Sequence, residues 1–183
     1  MNNTNIISDN VKIGKNFNIG HYCIIEEGCE IGDDVTFGNF VLVKSGTKLG
    51  NGCKVGDYCK FGQGVVIGDR LSATCYVEIR DNCKVGNDTS FGSRCTISAN
   101  FVIEDNVVVK YGFVATDTPD LTKNDEKVQA VLGKGSRYGA NVTIMPNVSV
   151  GQNAEIGACS QVRHDVGDDE IWFGSPAKFF RKA

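Results

Sequence analysis

This chain of 183 residues has only 3 prolines, 2 histidines and 1 tryptophan, against 22 glycines. Its formal net charge of −3 excludes the basic excess that nucleic-acid binding needs. No apolar run approaches the roughly 18 residues of a membrane span. The first ten residues, MNNTNIISDN, lack the basic and apolar segments of a signal peptide. We therefore expect a cytoplasmic protein whose eight cysteines are free thiols.

Large apolar residues recur every six positions over most of the chain. The first series is Ile7, Ile13, Ile19, Ile25, Ile31, Phe37, Val43, Leu49, Val55, Phe61, Ile67, Ala73, Ile79, Val85, Phe91, Ile97, Ile103, Val109 and Ala115. A second series of Val, Cys, Phe, Leu or Thr lies two positions earlier, from Val11 to Phe113. Two inward side chains separated by one outward side chain indicate a short strand. Neither an α-helix nor a βαβ unit has this period.

Glycine often follows the large apolar residue, and Asp, Asn, Lys or Gln usually comes next. Such residues form tight turns, because Gly adopts positive φ freely and Asn or Asp tolerates it. Each hexad is therefore a short strand and a corner, which predicts an all-β parallel solenoid. Three hexads per coil make a triangular prism in which residues 18 apart stack, with coils about 4.8 Å apart.

The repeat is interrupted after Ala115 by the polar segment TDTPDLTKNDEKVQ, and it resumes at Leu132. We predict a loop extruded from the solenoid at about 117–129, since long irregular segments of this kind are usually functional or disordered. The solenoid is expected to span 1–166. Residues 167–183 are predicted to cap its last coil with a short strand, a turn at Gly174–Ser175 and a short C-terminal helix opened by Pro176.

Three features of the sequence together resemble one family. They are the dense I-G-x-x repeat, the segment YGANVTIMPNVSVG after the interruption, and the ending GSPAK. The chain resembles the hexapeptide-repeat acyltransferases, and within them the small N-acetyltransferases of nucleotide-linked amino sugars. The resemblance implies a left-handed β-helix, a homotrimer with sites between subunits, acetyl-CoA as co-substrate and no metal. It also implies a role in bacterial surface glycan biosynthesis, such as lipopolysaccharide or O-antigen.

The resemblance also implies where acetyl-CoA binds. Matching the family motif assigns cofactor contacts to Ala140 and Ala158, each after a corner Gly, and to Lys178 and Arg181 for the CoA phosphates. Small residues leave backbone amides open to a ligand, and basic side chains suit phosphates. The chain departs from the family pattern at Tyr138 and Asn147, where Ile and Gly are usual.

A second departure concerns the general base, because many O-acetyltransferases of this family carry a His in the extruded loop. This loop has none, and the two histidines, His21 and His164, lie elsewhere. An alcohol needs a positioned base, whereas a neutral amine is already a nucleophile. We therefore favour N-acetylation, with Asp117 at the root of the loop as the catalytic residue that binds or deprotonates the amine. Asp117 could equally be a turn residue before Thr118–Pro119.

A line of polar residues leads toward the loop. With a stacking step of 18, Arg80 should lie below Ser98 and Thr116. We predict that Arg80, Asn100 and Thr116 contact the sugar or phosphate of the substrate, while ordinary corner variation is the alternative.

Three other functions compete with this interpretation. A sugar O-acetyltransferase of the same fold is the nearest alternative. A metal-dependent carbonic anhydrase would need three converging histidines, and only two exist. An ice-binding or scaffold solenoid would not need the loop or the GSPAK tail.

Overall fold

The computed structural model describes residues 4–120, 122 and 130–183. Within them the chain is a left-handed parallel β-helix with three faces, each a sheet. Face A consists of Ile6–Ile7, Ile24–Ile25, Leu42–Val43, Lys60–Phe61, Glu78–Ile79, Thr96–Ile97, Val114–Ala115, Thr143–Ile144 and Gln161–Val162. Face B consists of Lys12–Ile13, Glu30–Ile31, Lys48–Leu49, Val66–Ile67, Lys84–Val85, Val102–Ile103 and Val131–Leu132. Face C consists of Asn18–Ile19, Thr36–Phe37, Lys54–Val55, Ser72–Ala73, Ser90–Phe91, Val108–Val109, Arg137–Tyr138, Glu155–Ile156, Glu170–Gly174 and Ala177–Lys182.

The predicted step of 18 residues per coil is confirmed by the strand register. Ile7 pairs with Ile25 on face A, and Ile13 pairs with Ile31 on face B. Both inward series of the sequence fill the prism, so that a continuous core runs from Cys23 to Val166. The second residue of each short strand points inward and the first points outward, as the period of two requires.

The chain turns at three corners, named here A/B, B/C and C/A after the faces that they join. Most corners place one residue at positive φ, such as Asn16 at 55° and Gly46 at 70°. On the B/C corner, Asp and Asn side chains accept from the backbone N–H one coil earlier. Asn51 Oδ1, for example, accepts from Asp33 N at 2.9 Å. These side chains bond successive coils where the short strands end.

The interruption of the repeat lies on the A/B corner. Ala115 pairs with Ile144, and Ile103 pairs with Leu132, in each case 29 positions apart instead of 18. The ladders on both sides of the interruption therefore continue in register. The predicted extruded loop at about 117–129 falls mostly on 121 and 123–129, which lie outside the described residues.

The prediction of a C-terminal helix is wrong. The predicted strand and turn are present, but Ala177–Lys182 is a second strand, antiparallel to Glu170–Gly174. Glu170–Gly174 itself extends face C by pairing with Glu155–Ile156, which exposes a new edge of unpaired backbone groups. The last segment satisfies those groups by forming a hairpin, whereas a helix of so few residues is marginal on its own. No helix in the described part of the chain has the length and apolarity of a membrane span.

Candidate functional site

Asp117 lies on the A/B corner, two residues after the face A strand Val114–Ala115. Its side chain is only 5% exposed, and its Oδ1 accepts from the Thr118 hydroxyl at 3.1 Å. The root of the loop is thus fixed, as the sequence predicted. The burial of the carboxylate was not expected from sequence, because the polar segment gave no sign of which side chains turn inward.

The predicted stacking of Arg80, Ser98 and Thr116 is confirmed, since each follows one of three strands that pair in register. Arg80 is exposed and Ser98 is buried. Thr116 donates its hydroxyl to the Ile144 carbonyl at 2.9 Å, so that this hydroxyl already closes the corner. Asn100 is half-buried at the same corner with φ of 65°. The roles of these residues toward a substrate remain predictions.

A polar depression surrounds Arg80 and extends onto face A. It is lined by Lys44, Lys60, Gly62, Glu78, Arg80, Asp81 and Thr96. Lys60 forms an ion pair with Glu78 at 3.0 Å, with both side chains more than a third exposed. The sequence reasoning missed Lys44 and Lys60, although two steps of 18 residues lead back from Arg80 to Lys44. Three cations and two carboxylates in one depression can bind a phosphate next to a polar sugar.

Ala140 and Ala158 stack on the C/A corner, where the Cys159 N–H donates to the Ala140 carbonyl at 2.8 Å. Lower on this corner, Asn39 and Asp57 accept from the backbone N–H groups of His21 and Asn39. Alanine has no such acceptor, so the N–H of Ala140 receives no side-chain bond from the coil above within the described chain. The two alanines therefore present open amide donors at the corner.

Lys178 and Arg181 lie in the last strand, opposite Phe173 and Ile171. Both side chains are exposed. Phe173 packs directly above Gly157, where an added Cβ would meet the Phe173 Cβ at 2.8 Å. Lys178 thus continues the C/A corner beyond Ala158. The structure brings Ala140, Ala158 and Lys178 to one corner.

The predicted catalytic and cofactor residues do not meet within one chain. Asp117 is at the A/B corner, whereas Ala140 and Ala158 are at the C/A corner, and the strands of face A lie between them. Any site that uses both groups must therefore combine two copies of the chain. This arrangement is what a site between subunits requires.

Tyr138, which departs from the family pattern, belongs to the core. Its ring is 1% exposed and packs edge-on against Phe113, with the ring centroids 5.1 Å apart. The Ser136 hydroxyl donates to its phenol oxygen at 3.0 Å, and burial raises the pKa of the phenol well above its usual range. Tyr138 therefore has no direct access to a ligand.

The two histidines lie far apart along the solenoid. His21 is at the C/A corner near the N-terminus, with its Nδ1 at 3.2 Å from the Thr4 hydroxyl. His164 is exposed and lies on the A/B corner, because Ala115, Ile144 and Val162 pair in succession. It is thus two coils above Asp117, about 10 Å away along the axis at 4.8 Å per coil. Sequence reasoning missed this shared corner, because the interval of 29 residues was unknown.

Six cysteines are buried and act as small core residues. Burial raises the pKa of the Cys59 thiol to about 11 and that of Cys83 to about 12. Both thiols donate to backbone carbonyls, Cys59 to Thr74 and Cys83 to Ser98. These thiols stay protonated at neutral pH, which makes them poor nucleophiles.

Two family models match the sequence. The one described as bacterial transferase hexapeptide (six repeats) matches 10–45 and 129–164, and the one described as hexapeptide repeat of succinyl-transferase matches 84–116. The chain belongs to the hexapeptide-repeat acyltransferase family. The matches lie on both sides of the interruption, in agreement with the continuous ladders.

Known hexapeptide-repeat proteins resemble the chain over different lengths. A probable macrolide acetyltransferase of Lysinibacillus sphaericus is 42% identical over 65 residues, which are 36% of each chain. A galactoside O-acetyltransferase of Lactococcus lactis is 34% identical over 67 residues, 36% of this chain and 32% of that protein. The matched segments thus span only about a third of these relatives. The solved UDP-N-acetylglucosamine O-acyltransferase of Moraxella catarrhalis covers 99% of this chain with a TM-score of 0.72 at 19% identity, and 74% of its own chain is matched. That similarity establishes the shared fold.

Proposed function

We propose that the protein is an acetyl-CoA-dependent N-acetyltransferase that acts on a nucleotide-linked amino sugar in surface glycan biosynthesis. The observation that carries the proposal is the pair of corners flanking face A. One has the buried carboxylate and the loop, and the other has open amides and a lysine. Three copies around one axis would bring the A/B corner of one copy beside the C/A corner of the next.

The reaction is an acyl transfer without a covalent enzyme intermediate. The sugar amine attacks the thioester carbonyl carbon, a C–N bond forms, and the C–S bond to CoA breaks. One proton leaves the nitrogen and the thiolate of CoA gains one. Asp117 holds the ammonium form before the reaction or accepts its proton, and its buried position strengthens either interaction because the local dielectric is low.

The donor would lie along the C/A corner. The amides of Ala140 and Ala158 bind the polar groups of the pantetheine arm, and Lys178 with Arg181 bind the phosphates of CoA. The acceptor would lie on the A/B corner, with its phosphates in the depression around Arg80 and its amine toward Asp117. Asn100 and Thr116 border this path.

The decisive assay uses purified protein, acetyl-CoA and two matched acceptors, a nucleotide-linked amino sugar and its hydroxyl analogue. We expect acetylation of the amine and release of CoA. Absence of acetyl-CoA binding in calorimetry would refute the enzyme assignment. Asp117→Asn should lower kcat/KM at least tenfold while the melting temperature stays within a few degrees. A fall in melting temperature with unchanged kcat/KM would assign Asp117 to the structure of the loop root.

A sugar O-acetyltransferase is the second candidate, and the position of His164 favours it. An exposed imidazole on the corner of Asp117 can act as the base that an alcohol requires. His164→Ala should then abolish acetylation of the hydroxyl acceptor. Under the N-acetyltransferase proposal the same variant keeps its activity toward the amine.

A further inference from the structure

Four aromatic residues form a ladder on the lower part of the C/A corner. Tyr22, Phe40, Tyr58 and Tyr76 contribute one ring per coil, and this set is called the aromatic ladder below. Neighbouring ring centroids are 4.7–5.2 Å apart, with interplanar angles between 2° and 12°. The four side chains are 43–58% exposed. The rings thus stack on each other at the surface and outside the core.

The backbone at these positions is unfavourable for a bulky residue. All four have φ between 57° and 60°, in the left-handed region that favours Gly and Asn. Other coils of this chain use Gly46, Asn82 and Asn100 in the same slot of the hexad. The corner therefore folds without aromatic residues, and the core does not need them. Residues that keep a costly conformation at the surface point to a surface function.

The aromatic ladder is continuous with apolar side chains on face A. Ile6 is 65% exposed, Ile24 is 38% exposed, and Leu42 follows them on the same outward row. In the next two coils this row changes to Lys60 and Glu78. The N-terminal coils thus present one contiguous apolar surface over the C/A corner and face A. A surface of this kind normally marks an interface.

The stacking geometry indicates the kind of partner. Each ring covers the faces of its neighbours, so that mainly the ring edges point to solvent. A sugar would stack on a ring face, and those faces are occupied along the row. A partner must instead offer ridges at the same interval of about 4.8 Å. A second copy of this chain has that repeat on every face.

We propose that the aromatic ladder, with Ile24 and Leu42, is the seam along which copies of this chain pack side by side. The copies are parallel and at the same height, as cyclic symmetry requires. The inference rests on the proposed function for the place of the active site, because the seam lies on the corner that carries Ala140 and Ala158 higher up. Packing there aligns this corner with the A/B corner of the next copy, which supplies Asp117 to the site.

The test replaces two ladder residues by the residue that this backbone favours. Phe40→Asn/Tyr58→Asn keeps the corner foldable, since Asn already fills the slot in other coils. The matched control, Asp34→Asn/Gly52→Asn, changes the same slot of the same two coils on the B/C corner. At Gly52 an added Cβ meets only the Arg70 Cγ at 3.5 Å. Molecular mass by sedimentation should show an oligomer for the natural protein and the control, and a dissociation constant raised at least tenfold for the ladder variant.

Hydroxyl-radical footprinting of the natural protein provides a readout that does not depend on a variant. Oxidation of the four rings should fall severalfold on assembly, relative to the exposed Phe180. An unchanged oligomer in the ladder variant, unprotected rings, or a natural protein that stays monomeric would each overturn the proposal. Acetyl transfer is measured separately: an assembled protein without activity refutes the proposed function and leaves the seam intact.

Discussion

The hydroxyl groups of Tyr138 and Ser136 lie 3.0 Å apart inside the prism, and both side chains are buried. Each satisfies the other in a place that water does not reach. Removing one hydroxyl leaves the other without that bond, which costs about 1–3 kcal/mol. Tyr138→Phe and Ser136→Ala should each lower the free energy of unfolding by roughly that amount.

The double variant of this pair should be less destabilised than the sum of the two singles, because no orphaned hydroxyl remains. Chemical denaturation of all four proteins in the cycle measures the coupling. Strict additivity would mean that the pair does not interact in solution. Tyr138→Phe should leave acetyl transfer unchanged, because the ring has no access to a ligand.

The buried thiols should make the protein unstable in alkali. The pKa of Cys59 rises to about 11 and that of Cys83 to about 12 through burial, against an ordinary value of 9.0. A raised folded pKa contributes stability that is complete below pH 9 and is lost as the pH rises toward the folded value. We expect the melting temperature to fall steadily between about pH 9 and 12.

Cys59→Val/Cys83→Val should flatten this dependence, and Val already fills the same inward slot at Val65 and Val77. Cys159→Val is the control, since that cysteine is exposed. Melting curves across the pH series, recorded with reductant, compare the slopes. Equal slopes in the three proteins would show that other groups cause the alkaline loss.

Ala158→Asn tests whether the open amides bind acetyl-CoA. An Asn at this position should accept from the Ala140 N–H, as Asn39 does from the His21 N–H. We expect the KM for acetyl-CoA to rise at least tenfold, while the free energy of unfolding stays the same or increases by about 1 kcal/mol. Lys134→Asn, at the equivalent position of the B/C corner, should change neither value. Unaltered KM in Ala158→Asn would place the cofactor elsewhere.

Lys178 and Arg181 are expected to recognise the phosphates of CoA. Lys178→Ala/Arg181→Ala should raise the KM for acetyl-CoA about tenfold or more, because charge-assisted bonds to phosphate are lost. The same variant should respond less to acetyl-dephospho-CoA, which lacks one phosphate group. Lys54→Ala, on the outward row of face C, serves as the charge-matched single control. A penalty of equal size with both donors would exclude contact with that phosphate.

The scaffold was readable from the sequence because its rule is local. The inward series from Ile7 to Ala115 sets the strands, and the same step of 18 correctly placed Arg80 beneath Ser98 and Thr116. The last segment failed for a tertiary reason. Pro176 is a good first residue of a helix, but the open edge of Glu170–Gly174 determined the conformation of Ala177–Lys182.

The candidate site was less predictable, because its parts depend on which corner each residue occupies. His164 shares the A/B corner with Asp117 only because Ala115 pairs with Ile144, and an irregular insertion hides that register. The aromatic residues at positive φ were also missed. Tyr22 and Phe40 are 18 apart, but the tolerance of each corner for a bulky side chain is not written in the repeat.

The interval between Ala115 and Ile144 has a consequence for how such a protein can change. The coils below and above it pair as though the additional residues were absent, so the length of the interruption is not constrained by the ladder. Substrate preference can therefore diversify by exchange of this one segment, at little thermodynamic risk to the rest. An interval transplanted from another solenoid acyltransferase should yield a folded protein with altered acceptor choice.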